Sequence, residues 1–524
     1  MNENGEFRPP MQLSHRQIQI VFLGLMAGML VSSLDQTVVS TALPTIVGEL
    51  GGLEHLSWVI TAYLLTSTAS MPLYGKLSDL YGRKILFQAA IVVFLVGSLL
   101  CGLAQNMTEL IACRGIQGLG AGGIMILSQT IVGDIIAPRE RGRYQGYMGS
   151  IFAIAAVAGP LIGGFFTDNL TWRWVFYVNL PIGIMALIVT SFVLRMPVHR
   201  FEQRIDYSGS LLMVSGISAL LLLTSWGGIE YPWLSPVIIG LGVFGIVLLG
   251  FFLLNETRVS EPLLPLRLFR NKVFAVATAL SFIVGIGFLG SVSYLPIYFQ
   301  VVRGTSATLS GLSMLPLMAT VLIGAIGGGR IITKIGRYRM FPIIGTAIMI
   351  VGMYLLSRMN DTTSSLDAAI FMAVLGIGLG MVMQVPILAV QNAVMHKDLG
   401  AGTAGVNLFR SLGSAFGVAI FGAILSNRLT AELRHTVPPQ LLGQLNPNML
   451  TASPAQLKAL PVAVHAGVIH AFSLSLDSVF LWAVPMMVVA FLVSWLLQDI
   501  PLREYAHVGK EEAPPPFEGE AAVE

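Results

Sequence analysis

Two charges stand inside long apolar stretches of this chain. Asp35 lies in LVSSLDQTVVSTALP, and Arg114 lies in CRGIQGLGAGG. A charge at the centre of a membrane-spanning helix costs about 3 kcal/mol even on insertion scales, so each needs a partner or a wet cavity. Burial disfavours an ionised acid, and a neighbouring guanidinium favours it. A carboxyl group held between those two pulls is suited to taking up and releasing a proton. The same two residues could instead form a static ion pair between helices, and both readings stand here. All eight histidines (15, 55, 199, 396, 435, 465, 470 and 507) read as loop or tail residues, so no imidazole is expected to relay protons beside Asp35. Cys101 and Cys113 read as buried thiols, with no disulfide framework and no metal site. Gly118, Gly120 and Gly123 spell GxGxxG, but no strand precedes them, and no GxxxxGK[ST] occurs. Neither dinucleotide chemistry nor ATP hydrolysis is indicated. No enzyme activity and no cofactor are expected.

A second constellation is a repeated basic loop. Residues 75–84 read GKLSDLYGRK, and residues 329–339 read GRIITKIGRYR. Gly75, Gly82 and Arg83 match Gly329, Gly336 and Arg337 in spacing. Each stretch follows the second apolar segment of its half of the chain. Such an echo points to two related halves, an architecture found in secondary transporters. A third feature is AVAGPLIGG, where Gly159, Pro160, Gly163 and Gly164 would let helices approach closely and bend.

These residues need elements to hold them. The chain has 524 residues, 55% hydrophobic and only 11% charged, with mean hydropathy +0.77. Ordinary soluble chains carry roughly 25% charge. Apolar runs of span length fall near 18–43, 56–75, 85–105, 108–133, 145–167, 175–195, 207–226, 235–254, 273–300, 309–330, 340–357, 367–391, 403–426 and 478–497. Each approaches the roughly 20 residues that a helical span requires. The expectation is an all-α integral membrane protein with 14 spans, in which two six-helix bundles flank two extra central helices. The net charge of +3 gives no reason to expect nucleic acid.

With the N-terminus in the cytoplasm, 22 of the 30 Lys and Arg residues fall on the cytoplasmic side and six outside. Positive loops stay inside, so both termini are expected there. The expected divisions are a segment 1–17, a bundle 18–200, two inserted helices at 201–260, a bundle 261–500 and a disordered tail 501–524. Residues 428–476 read as an outer excursion with a short helix on the membrane surface. Counted from the outer surface, Arg114 lies about 10 Å deep and Asp35 about 12–15 Å deep, so the two could meet.

Taken together, these motifs resemble the major facilitator superfamily, specifically its fourteen-span drug/proton antiporters. GKLSDLYGRK is similar to that family's loop between spans two and three. LDQTVVSTALPTI (34–46), RGIQGLGAGG (114–123), GPLIGG (159–164) and WRWVFYVNLPIG (172–183) are similar to its motifs in spans one, four and five and in the segment that follows. The second loop departs from the pattern, because Thr333 stands where Asp79 stands in the first.

The resemblance implies proton-coupled export of drug-like, lipophilic or cationic compounds by alternating access. Asp35 and Arg114 would couple the proton. Asp79 and Arg83 would lock the cytoplasmic face, Asp79 against the helix start near Gly400–Thr403 and Arg83 against Asp134. A cavity between the halves would be lined by Gln36, Trp58, Tyr63, Tyr294, Tyr298, Gln384, Asn407 and Arg410. Export of an endogenous lipid or metabolite, proton-coupled uptake and a non-transporting receptor are the alternatives. The implied partners are a small-molecule substrate, protons and the lipid bilayer of the plasma membrane. The protein is expected to be a monomer, and the sequence names no periplasmic adaptor.

Overall fold

The computed structural model describes residues 14–51, 55–194, 206–228, 230–259, 262–436 and 462–502. Residues 1–13, residues 437–461 of the expected outer excursion and the tail from 503 lie outside this set.

The described residues are helical almost throughout. Away from water, a backbone must satisfy its own N–H and C=O groups, and a helix does so within one segment. The helices are α1 (His15–Leu50), α2 (Leu56–Tyr81), α3 (Arg83–Leu103), α4 (Met107–Ile135), α5 (Pro138–Asn169), α6 (Trp174–Tyr177), α7 (Asn179–Val193), α8 (Tyr207–Trp226) and α9 (Pro236–Glu256). They continue with α10 (Lys272–Ile297), α11 (Ala307–Ser313), α12 (Leu315–Ile335), α13 (Met340–Leu356), α14 (Ser365–Met383), α15 (Val385–Ala393), α16 (Leu399–Thr436) and α17 (Val462–Trp495). Among the described residues, 11 helical segments are long and apolar enough to cross a membrane. Short polar side chains set several starts. Ser14 forms a capping box with Gln17, Asn106 accepts from the Glu109 N–H, and Asp206 accepts from the Gly209 N–H. Such caps satisfy N–H groups that have no partner inside the helix.

Three expected spans are interrupted helices. The stretch 175–195 breaks at Val178, 309–330 breaks at Met314, and 367–391 breaks at Gln384. Each break precedes a proline (Pro181, Pro316 or Pro386) by two or three residues. Proline lacks an N–H and crowds the preceding turn, so the hydrogen-bond ladder stops there.

The described ends of the expected outer excursion are helical. Residues 428–436 continue α16 and residues 462–476 open α17, so no separate surface helix is seen in the described part. His15, His435, His465 and His470 therefore sit in helices, not in loops. Their helices run past the apolar stretches used to place the spans.

The buried core forms distinct clusters. One joins α1, α3, α4 and α7 through Leu25, Phe87, Phe94, Leu127 and Ala186. Another joins α10, α12–α14, α16 and α17 through Leu317, Met349, Leu375, Phe421 and Phe480. Met213 and Ile217 of α8 join Phe274, Val390 and Leu408 in a third. At the far end of α8, Trp226 packs edge-on against Trp58 of α2 at 5.2 Å. The α8–α9 pair thus touches α2 on one side and the α10–α16 core on the other.

The repeated loops share a backbone feature. Gly82 and Gly336 both have positive φ, 92° and 74°. This left-handed turn is open to glycine without steric cost. The end of the bundle carrying these two turns is called the basic end below.

Candidate functional site

Three layers of polar residues run from the middle of the bundle to its basic end. The first surrounds Asp35, which is fully buried. Arg114 Nη1 reaches Asp35 Oδ2 at 2.5 Å. Gln117 Nε2 and Asn179 Nδ2 each donate to Asp35 Oδ1 at 2.8 Å, and both also donate to Ser98 Oγ. Arg114 further donates to the Val59 carbonyl and to Gln117 Oε1. Its guanidinium lies 4.2 Å from the centre of the Tyr63 ring, whose hydroxyl donates to the Ser32 carbonyl. Helices α1, α2, α3, α4 and α7 all contribute. A buried charge is tolerated when it is both paired and hydrogen-bonded, and Asp35 is both.

Gln117, Asn179 and Ser98 were not singled out from the sequence. Gln117 lies one helical turn beyond Arg114, so its shared face could have suggested it. Asn179 lies within WRWVFYVNLPIG, but nothing in that stretch marks its role.

The second layer joins the two halves. Asn407 Nδ2 of α16 donates to Gln129 Oε1 of α4 at 2.7 Å. Gln391 Nε2 of α15 donates to the Gln129 carbonyl and to Thr403 Oγ1. Arg141 of α5 is buried, and its guanidinium donates to the carbonyls of Ile136, Gly133 and Gln391. Arg410 Nη2 donates to Asn407 Oδ1 at 2.5 Å. Gln384 sits at the α14–α15 break beside a small cleft shared with Gln145, Gly146 and Ala325. Its amide is buried without a hydrogen-bond partner.

The third layer closes the basic end. A Cβ on Gly75 would lie 2.7 Å from Ala404 Cβ, and one on Gly400 would lie within 2.8 Å of both Asp79 carboxylate oxygens. Arg83 Nη1 contacts Asp79 Oδ1 at 2.7 Å, donates to Ser78 Oγ, and its Nε meets Asp134. Across the bundle, a Cβ on Gly329 would clash with the Gly142 carbonyl, and the Arg143 N–H donates to Thr333 Oγ1. Thr333, which lacks the charge of Asp79, still makes a contact between the halves.

Exposure is asymmetric. On α16, every residue from Leu399 to Leu408 is buried, whereas Phe409 to Leu412 are half-buried. On α1, Gln36, Ser40 and Pro44 form an exposed stripe at four-residue spacing. The halves are sealed at the basic end and looser beyond it.

Several expected lining residues take other places. Trp58 packs on Trp226 of α8, Tyr63 lies under Arg114, and Tyr294 donates to the Val418 carbonyl. Tyr298 is buried and donates to the Asn360 carbonyl. A buried phenol needs an acceptor, and a backbone carbonyl suffices. Gln384, Asn407 and Arg410 lie on or near the interface between the halves, and Gln36 is exposed on α1. Asp35 is turned into its own half, where it is buried against Arg114. In α5, a Cβ on Gly159 would lie 2.1 Å from Thr37 Oγ1 and one on Gly163 2.9 Å from the Val38 carbonyl, while Gly164 faces open space. Pro160 lies beside Gly311 of α11.

A family model of the Major Facilitator Superfamily matches residues 25–418. An uncharacterized MFS-type transporter of Mycobacterium tuberculosis is 42% identical over 492 residues, covering 94% of this chain and 71% of that protein. The multidrug transporter protein MdtP of Bacillus subtilis is 39% identical over 441 residues, covering 84% and 81%. Among solved structures, the proton:xylose symporter XylE superposes with a TM-score of 0.61 at 16% identity, covering 93% of this chain and 97% of that one. That last likeness concerns the fold alone.

Proposed function

Because this chain belongs to the major facilitator superfamily, we propose that it is a proton-coupled exporter of drug-like, lipophilic compounds working by alternating access. The carrying observation is the Asp35–Arg114 pair, sealed inside one half of a bundle whose halves press backbone against backbone at the basic end. Relatives described as multidrug transporters and efflux pumps support export as the direction.

In this reading the chain has fourteen spans, the basic end and both termini face the cytoplasm, and the membrane is the plasma membrane. The conformation is then the outward-open one. Asp35 exchanges the proton, and Arg114, paired with its carboxylate, tunes that exchange. Substrate occupies the space around Gln36, Gln384, Asn407 and Arg410. Asp35 does not reach that space, so coupling runs through α1 and α4 and not through a shared carboxylate. Breaking the contacts of Asp79, Arg83 and Asp134 lets the halves rock. One proton entering through 100 mV supplies about 2.3 kcal/mol.

The test uses purified protein in inverted vesicles that carry a pH-sensitive dye. Addition of a lipophilic substrate should drive proton movement that the Asp35→Asn variant does not show. Substrate accumulation without linked proton movement would refute the coupling.

A further inference from the structure

Thr403, Asn407, Arg410 and Ser414 recur on one face of α16 at three- to four-residue spacing. Thr403 and Asn407 use that face to meet Gln391 and Gln129. Arg410 therefore stands one turn beyond the seal, between the halves, where α16 becomes half-buried.

Its guanidinium is incompletely partnered. Nη2 donates to Asn407 Oδ1, while Nη1 is buried and has no acceptor. Among the described residues, no carboxylate forms an ion pair with Arg410. Arg114 is the counterexample in the same molecule, with Asp35, Gln117 and the Val59 carbonyl all accepting from it. Arginine cannot relieve its burial by losing a proton. An uncompensated charge in a membrane core is a functional group by default. What it lacks is an acceptor that is both negative and able to take more than one N–H bond, and a carboxylate supplies both.

We propose that Arg410 anchors an acidic group of the transported compound, so that the substrate class is lipophilic anions such as aryl or alkyl carboxylates. The proposal rests on the transporter reading above, with the chemistry of the cargo added. Asp35 offers no opposing charge, because it is neutralised and fully buried within its own half. The space between the halves is thereby positive, which repels amines and draws acids.

The experiment compares 4-phenylbutyrate with 4-phenylbutylammonium, one skeleton with opposite charges. Binding to the purified full chain in nanodiscs is measured by calorimetry against protein-free nanodiscs. Wild type should take the carboxylate at least about tenfold more tightly than the ammonium ion. Arg410→Gln should bring the two affinities within about twofold of each other, and Arg410→Lys should keep the preference. Asn407→Asp gives a second arm that retains Arg410. It places a carboxylate beside the guanidinium and should also erase the preference. Gln129 Nε2 is buried without a partner, so an amide flip accommodates the new acid. Each variant is checked for monodisperse elution and an unchanged Tm. A wild-type protein that takes the ammonium ion equally well, or takes neither ion, overturns the proposal. So does a folded Arg410→Gln variant that keeps the preference. Equilibrium binding needs no gradient, so a failure of proton coupling in vesicles leaves this result standing, and the reverse also holds.

Discussion

Gly75 of α2 and Gly329 of α12, matched positions of the repeated loop, each press against a helix of the opposite half. At Gly75 the neighbour is α16, where a Cβ would meet Ala404 Cβ at 2.7 Å and the Gly400 carbonyl at 2.9 Å. At Gly329 the neighbour is α5, where a Cβ would meet the Gly142 carbonyl at 2.2 Å. The charged parts of the two loops have diverged, but their glycines retain equivalent steric tasks. At the closed basic end the halves therefore meet backbone against backbone at two seams.

Substituting leucine at Gly75 or Gly329 should hold the basic end open. Overpacking of this kind costs about 1–3 kcal/mol, which biases the two-state equilibrium roughly 5- to 150-fold. Thr403 is fully buried in the seal. A Thr403→Cys reporter should resist a thiol reagent in the otherwise unaltered protein and react readily in the Gly329→Leu background. Equal protection in both backgrounds would show that the seam tolerates the side chain.

The proposed ion-pair lock can be probed separately. Arg83 stands between Asp79 and Asp134, all three nearly buried. Arg83→Ala leaves two acids without their cation, a loss of about 3–5 kcal/mol for the closed state. Asp79→Asn removes one charge and keeps the shape, so its effect should be smaller. Both variants should insert normally and transport more slowly, in that order of severity. Wild-type turnover in both would mean that Arg83 is not part of the switch.

How much of this was legible beforehand follows from which signals are local. Span length and charge scarcity are local, so the helices and the prominence of Asp35 and Arg114 could be read from the chain. Partners that are neutral were not readable. Gln117, Asn179, Gln129 and Gln391 matter because of the way their helices are rotated against neighbours, and one sequence does not encode rotation separately from packing. The placement of the aromatic residues was unreadable for a related reason. Tyr63, Tyr294 and Tyr298 each satisfy their hydroxyl on a nearby carbonyl, a contact set by packing. Residues 428–436 and 462–476 extend α16 and α17 because a helix can outrun its apolar span.

Gly159 gives a test of the α1–α5 contact. Thr37 Oγ1 donates to the Ala155 carbonyl, and an added Cβ on Gly159 would lie 2.1 Å from that oxygen. Gly159→Leu should abolish transport while surface expression persists. Gly164→Leu, where a Cβ meets nothing within 4 Å, should be tolerated. Uptake of a fluorescent substrate by cells expressing each variant separates the two, and loss in both would remove the local packing argument.

The proposed sidedness predicts a labelling pattern. Leu234, in the turn between α8 and α9, is 87% exposed, and Lys334 is exposed at the basic end. With single cysteines at these positions, an impermeant maleimide added to intact cells should label Leu234→Cys and spare Lys334→Cys. Arg141 would be a poor reporter despite its place near a helix start, because it is buried between the halves. The reverse pattern would invert every assignment of inside and outside.

Asp35 and Arg114 admit two explanations, a proton site or a static clasp, and single substitutions do not separate them. Asp35→Asn leaves Arg114 buried without its anion, which destabilises by about 3–5 kcal/mol whatever the pair is for. The Asp35→Asn/Arg114→Gln double variant removes both charges and leaves amides that can still bond Gln117, Asn179 and Ser98. Replacing a buried pair as a unit is often neutral for stability. The double variant should therefore recover a Tm near that of wild type. If the pair is a clasp, proton-linked transport should recover with it. The proton-site reading expects otherwise: the double variant folds and binds substrate, yet substrate no longer drives proton movement in inverted vesicles. Recovery of both stability and proton movement in the double variant would exclude Asp35 as the proton carrier.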